Sequence, residues 1–137
     1  MSVLEPIRHG AGDVKDAGLD LDALWRRVGH DAELLRELIE LLERELPGML
    51  AQIRSAIRSD DAERLRRCSH KIKGSLLQFS AHGSVACAAR LEELGGSRRV
   101  AGADELLGDL EREIDLLVKS LRKFAGQSAA DRESKQK

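Results

Sequence analysis

The sequence predicts an all-α fold: an antiparallel up-down four-helix bundle with a short N-terminal capping helix. Three observations carry that prediction. Apolar residues fill 42% of the 137 positions but aromatics only 2%, with no tyrosine, so the core has to be built from Leu, Ile, Val and Ala. Apolar positions recur at alternating three- and four-residue steps, the period of helices buried along one face. The connections between these stripes are short, which makes successive long helices antiparallel neighbours. A chain of this length is expected to form one domain.

Residues 1–18 mix Gly, Ala and charge without period and read as a loose N-terminal arm. The bundle is expected over residues 19–125. A short helix near Asp20 to Val28 carries Leu21, Leu24, Trp25 and Val28 at helical spacing, and Gly29 closes it. Trp25 is expected to contribute to a lid over one end. The first long helix starts near Asp31, with a stripe from Leu35 through Leu42, Leu46 and Ile53 to Ile57. Pro47 lies inside it, so a kink or local break is expected there.

The second long helix begins at the turn SDDAERL, where Asp60 and Glu63 have capping-box spacing, and runs to about Ser80. Gly83 and Ser84 open the third, which points Cys87, Leu91 and Leu94 inward and ends at Gly95-Gly96. The fourth, from about Ala103 to Phe124, sets Leu107, Leu110, Ile114, Leu117, Leu121 and Phe124 along one seam. From Gly126 the polar, Ser-containing tail reads as disordered.

The net charge of −1 argues against a dedicated nucleic-acid binder. No apolar run approaches membrane-spanning length and the N-terminus lacks a signal pattern, so a soluble, cytoplasmic monomer without a membrane partner is expected. Met1 and the polar tail lean toward a free-standing chain. Cys68 and Cys87 sit in apolar helical patterns and read as two buried free thiols. There is no GxxxxGK[ST] motif, kinase-type glycine loop or acidic Mg²⁺ cluster, so the chain is not expected to phosphorylate itself from ATP.

The stretch HKIKGSLLQF, residues 70–79, departs from an ordinary amphipathic helix. A glycine inside a helix costs about 1 kcal/mol relative to alanine, and Gly74 therefore needs a reason. At about 100° per residue, Leu65, Ser69, Ile72, Leu76 and Phe79 share one face with Cys68 at its edge. His70 falls roughly 145° from the centre of that stripe and should face solvent. Glu63, Arg66, Arg67, Lys73, Gly74 and Leu77 share its side. Lys73 places a cation one turn from the imidazole, and Gly74 clears a side chain where another backbone can approach. Leu77 adds an apolar contact to this docking face. An accessible nucleophile, a cation and cleared space suit phosphoryl transfer to an imidazole nitrogen.

These residues resemble the histidine-containing phosphotransfer (HPt) domain of two-component phosphorelays. The family pattern His-x-x-Lys-Gly-Ser matches His70, Lys73, Gly74 and Ser75. Phe79 and Ala81 match the apolar residue and alanine that follow, with Ser80 where the family carries glycine, and Leu91-Glu92 match the Leu-Glu of the next helix. The resemblance spans about Leu19 to Ala125.

It implies a carrier that takes a phosphoryl group from a phospho-aspartate on one response-regulator receiver domain and passes it to another. One of these could belong to a hybrid histidine kinase. His70 is the implied acceptor through Nε2. Glu92 is implied to accept a hydrogen bond from Nδ1–H and so fix the tautomer, and Lys73 to stabilise charge on the transferring group. A histidine of ordinary pKa, about 6.5, is largely neutral near neutral pH and keeps one free lone pair.

Gly74 and Leu77 are the expected receiver contacts. Arg66 and Arg67 either steer an acidic partner or are plain solvated surface. Ser75 turns toward the core side, where a structural hydrogen bond is expected rather than chemistry. No cofactor is expected, since Mg²⁺ belongs to the receiver.

Two other readings compete. A metal site from Cys68, Cys87, His70, His82, His30 and His9 lacks any pair with zinc-ligand spacing. A non-catalytic helical bundle that binds or sequesters a receiver would use the same face as a working shuttle.

Overall fold

The computed structural model describes residues 19–136, with side chains described over residues 19–126. The N-terminal arm, and His9 with it, lies outside the described residues. The fold is all-helical. Among the described residues five helices follow in order, α1 (Leu21–Arg27), α2 (Ala32–Arg58), α3 (Ala62–Leu77), α4 (His82–Gly96) and α5 (Ala103–Gln136). The described residues contain no strand, only an isolated bridge between Leu19 and Ala81.

The four long helices form a helical bundle in which α2 packs on α3, α3 on α4, α4 on α5 and α5 back on α2. The core is aliphatic. Leu35, Ile39, Leu42 and Ile53 of α2 meet Leu65, Ile72 and Leu76 of α3, Leu91 of α4, and Leu107, Leu110, Leu117 and Leu121 of α5. Pro47 does not break α2, which stays helical from Ala32 to Arg58. An interior proline costs about 3 kcal/mol, but Leu46 before it and Ile53 after it are buried in the same core. Packing of the stripe on both sides outweighs the lost backbone bond.

Asp61, not Asp60, caps α3: its carboxylate accepts from the Arg64 N–H at 3.0 Å. The connection from α2 needs a left-handed residue, and Asp60 supplies it at φ 56°. α3 ends at Leu77, three residues earlier than expected, because Ser80 takes φ 54° to turn the chain. Ala81 then caps α4 without a side-chain bond, and His82 is its first residue rather than part of a turn.

α1 seals this end of α3. The Arg27 guanidinium donates to the carbonyls of Leu77 at 3.0 Å and Gln78 at 2.6 Å, satisfying groups that a helix C-terminus leaves orphaned. Trp25 meets Phe124 of α5 edge-on at 5.7 Å between ring centroids and His30 at 5.4 Å. α5 runs past Phe124 and stays helical to Gln136, across the stretch expected to be disordered. Ala129, Ala130, Arg132, Glu133 and Lys135 are good helix formers, and extending an existing helix avoids the cost of nucleation.

Candidate functional site: a histidine on α3 joined to a carboxylate on α4

The buried stripe Leu65, Ser69, Ile72 and Leu76 turns the opposite face of α3 outward. His70 stands on that face with its side chain 66% exposed. α4 lies beside it and presents Glu92, one position after the buried Leu91. His70 Nδ1 is 2.8 Å from Glu92 Oε2, and Lys73 Nζ is 2.6 Å from Oε1 of the same carboxylate. One carboxylate therefore ties down the imidazole and the ammonium together.

The Lys73 hydrogen bond holds the Glu92 carboxyl below its usual range, and the His70 contact acts in the same direction against partial burial. An ionised carboxylate only accepts. At 2.8 Å the shared proton belongs to Nδ1. In the neutral ring Nε2 then carries the free lone pair and is the nitrogen turned away from Glu92.

The neighbouring residues divide by role. A Cβ built on Gly74 meets nothing within 4 Å, so the glycine leaves open space rather than accommodating this chain's own packing. Leu77, 47% exposed, lies on the same face. Arg66 is held by Glu63 through two bonds of 3.0 and 2.6 Å, with Arg67 3.5 Å from the same carboxylate. Both arginines are on the face, but Glu63 offsets part of their charge. Its spacing to each, three and four residues, is the signal in the sequence that could have revealed it.

Ser75 is half-buried and makes no side-chain hydrogen bond among the described residues, so the structural bond expected of it is not formed. It lines an open groove of about 750 Å³ between α2 and α3 with Arg44, Met49, Cys68 and Lys71. Cys68 is thus half-buried rather than buried, whereas burial pushes the Cys87 thiol up, and both are free. Sequence reading missed this groove because Arg44 and Lys71 meet only through the packing of two helices. His30 packs at a tilt against Trp25 and His82 opens α4, both apart from Glu92. Among the described residues no group of three His, Cys, Asp or Glu is arranged to hold a metal ion, and no helix is long and apolar enough to cross a membrane.

The Hpt domain model matches residues 37–122, and the chain belongs to the Hpt domain family. Members of this family take part in two-component phosphorelay signal transduction with response-regulator receiver domains, as phosphocarriers rather than kinases. Neither the curated proteins nor the solved structures contain a significant match.

Proposed function

We propose that this chain relays a phosphoryl group between aspartates of receiver domains through a phosphohistidine at His70. The observation that carries the reading is the exposed His70 ring bonded at Nδ1 to Glu92, beside the open space at Gly74. In the forward step the Nε2 lone pair forms a bond to phosphorus as the bond from phosphorus to the aspartyl oxygen breaks. The electron pair leaves with the receiver's carboxylate. Glu92 keeps the Nδ1 proton in place and stabilises the positive charge the ring acquires. Lys73 offers its ammonium to the incoming phosphoryl oxygens from a position fixed by Glu92. Mg²⁺, in this reading, is carried by the receiver.

The partner docks over Gly74 and Leu77, with Arg66 and Arg67 at the margin. The chain acts as a cytoplasmic monomer without ATP-dependent kinase activity of its own, and one of its receivers can be that of a hybrid kinase. Its architecture, on this proposal, is an antiparallel up-down bundle capped by α1. Two sets of pairings support that arrangement. Along α2 and α5, Arg54 pairs with Glu111 and Glu43 with Arg122. Along α3 and α4, His70 pairs with Glu92, while a Cβ on Gly95 would meet Ala62 and Arg66. In both cases one number rises as the other falls.

The test is incubation with phosphorylated receivers, one after another. Wild type should acquire an acid-labile, base-stable label, as a phosphoramidate does, and His70→Gln should fold normally and acquire none. Label retained in His70→Gln overturns the assignment. Binding of a receiver without any labelling of wild type would instead identify a sequestering bundle.

A further inference from the structure

The two glycines that end α4 differ sharply in their surroundings. A Cβ on Gly96 would meet only the end of the Arg66 side chain, at 3.8 Å. A Cβ on Gly95 would lie 2.6 Å from the Ala62 carbonyl oxygen, 2.7 Å from the Arg66 nitrogen and 3.0 Å from the Arg66 Cα. All three atoms are backbone, and none can rotate away. Ala62 C=O and Arg66 N–H stand in the i to i+4 relation of an intrahelical hydrogen bond in the first turn of α3. The Gly95 backbone therefore rests directly on the first turn of α3, where only a residue without a side chain fits.

That contact lies close to the reacting group. Glu92 is three residues before Gly95 on the same helix, about 4.5 Å along the axis, and His70 is one turn after Arg66 on α3. The Glu92 carboxylate spans the seam with bonds of 2.8 Å to His70 and 2.6 Å to Lys73. Relieving a 2.6 Å contact to the 3.0–3.4 Å at which real Cβ contacts begin needs a shift of about 0.4–0.8 Å between the helices. Over such a shift an N–H···O bond that starts at 2.8 Å lengthens to about 3.2–3.6 Å, from the outer edge of its normal range to beyond it.

We infer that Gly95 is a positioning residue: by allowing α3 and α4 to touch backbone to backbone, it sets the distance at which Glu92 reaches His70 Nδ1 and Lys73. This rests on the proposed role of His70 and Glu92. Gly95 touches neither the imidazole nor the phosphoryl group and acts only through the reach of Glu92.

The experiment compares Gly95→Ala with Gly96→Ala in full-length protein. Phosphoryl acceptance is measured at saturating receiver, and the His70 tautomer is followed by ¹⁵N NMR. Gly95→Ala should lower the acceptance rate by about 10-fold or more, the scale of losing a group that orients a reacting ring. It should also convert a ring protonated at Nδ1 into a mixture of tautomers. Gly96→Ala, which adds the same methyl without the clash, should stay within about twofold and keep the wild-type tautomer. In a Glu92→Gln background the Gly95→Ala effect should shrink to about twofold, because coupled positions do not add.

A Gly95→Ala rate equal to wild type, an unchanged tautomer, or the full loss persisting in Glu92→Gln overturns the inference. If Gly95→Ala loses its cooperative thermal transition, the measurements are repeated in trimethylamine N-oxide, which favours the compact state. Failure to fold even there also overturns it, since the glycine would then serve stability alone. Absence of label from wild type would instead defeat the phosphorelay reading, so the two failures are distinguishable.

Discussion

The α2–α5 seam and the α3–α4 seam both carry charged pairs between helices, yet they are built differently. Across α2–α5, Arg122 donates from Nε to Glu43 at 2.7 Å and makes a second guanidinium bond to it, and Arg54 pairs with Glu111. These long, flexible arginines border a stripe of buried leucines and can follow small helix shifts. Across α3–α4 the spacing is set by backbone against backbone at Gly95, and the single carboxylate of Glu92 serves two partners on α3. The first seam needs charges near each other. The second brings one oxygen into register with one ring nitrogen, the condition that the nucleophile proposed at His70 imposes.

The largest expected break in this comparison comes from filling the cleared space. Gly74→Arg should fold normally, since the position is exposed and arginine is a good helix former, but should abolish acceptance of phosphate by blocking the receiver. Acceptance at the wild-type rate would show that the docking face lies elsewhere. Next in size, Lys73→Ala should slow transfer by about 10²-fold, the scale of one lost transition-state charge contact, without abolishing it. Single-turnover labelling at saturating receiver measures this.

A smaller effect should appear with pH. The folded carboxyl of Glu92 lies below its ordinary value of 4.5, chiefly through the Lys73 hydrogen bond. Its contribution to stability is therefore fully present above 4.5 and is lost as pH falls through the lower folded value. Thermal melts of wild type and Glu92→Gln should converge on acidification below 4.5 and separate above it. A constant separation across that range would contradict the assignment.

The smallest effect belongs to the other seam. Arg54→Ala should cost under about 1 kcal/mol, as half-exposed ion pairs do, and leave transfer unchanged. Denaturant unfolding and the labelling assay together check it. A transfer defect there would show that the two seams are coupled.

Some of this molecule was legible residue by residue. The outward direction of His70 followed from its angle to Leu65, Ile72 and Leu76, because helix geometry alone relates those positions. The buried seam of α5 followed in the same way from Leu107 through Leu121. Local signals failed where two or more conformations were compatible with the residues. Asp60 and Asp61 are chemically identical caps, and the choice between them depended on which one the short connection from α2 forced into a left-handed turn. Proline chemistry allowed a local break at Pro47 as well as a kink, and burial on both sides of it kept α2 continuous.

By itself, then, the sequence determined the helical class, the inward faces and the candidate acceptor, since periodicity, propensity and one short motif are properties of neighbours along the chain. Only tertiary structure decided that Lys73 and His70 share one carboxylate, that Arg27 caps the end of α3, and that Gly95 lies against the opening turn of α3. Each of these depends on the separation and register of two helices. That separation is set by how whole faces pack, and no single segment of the chain encodes it.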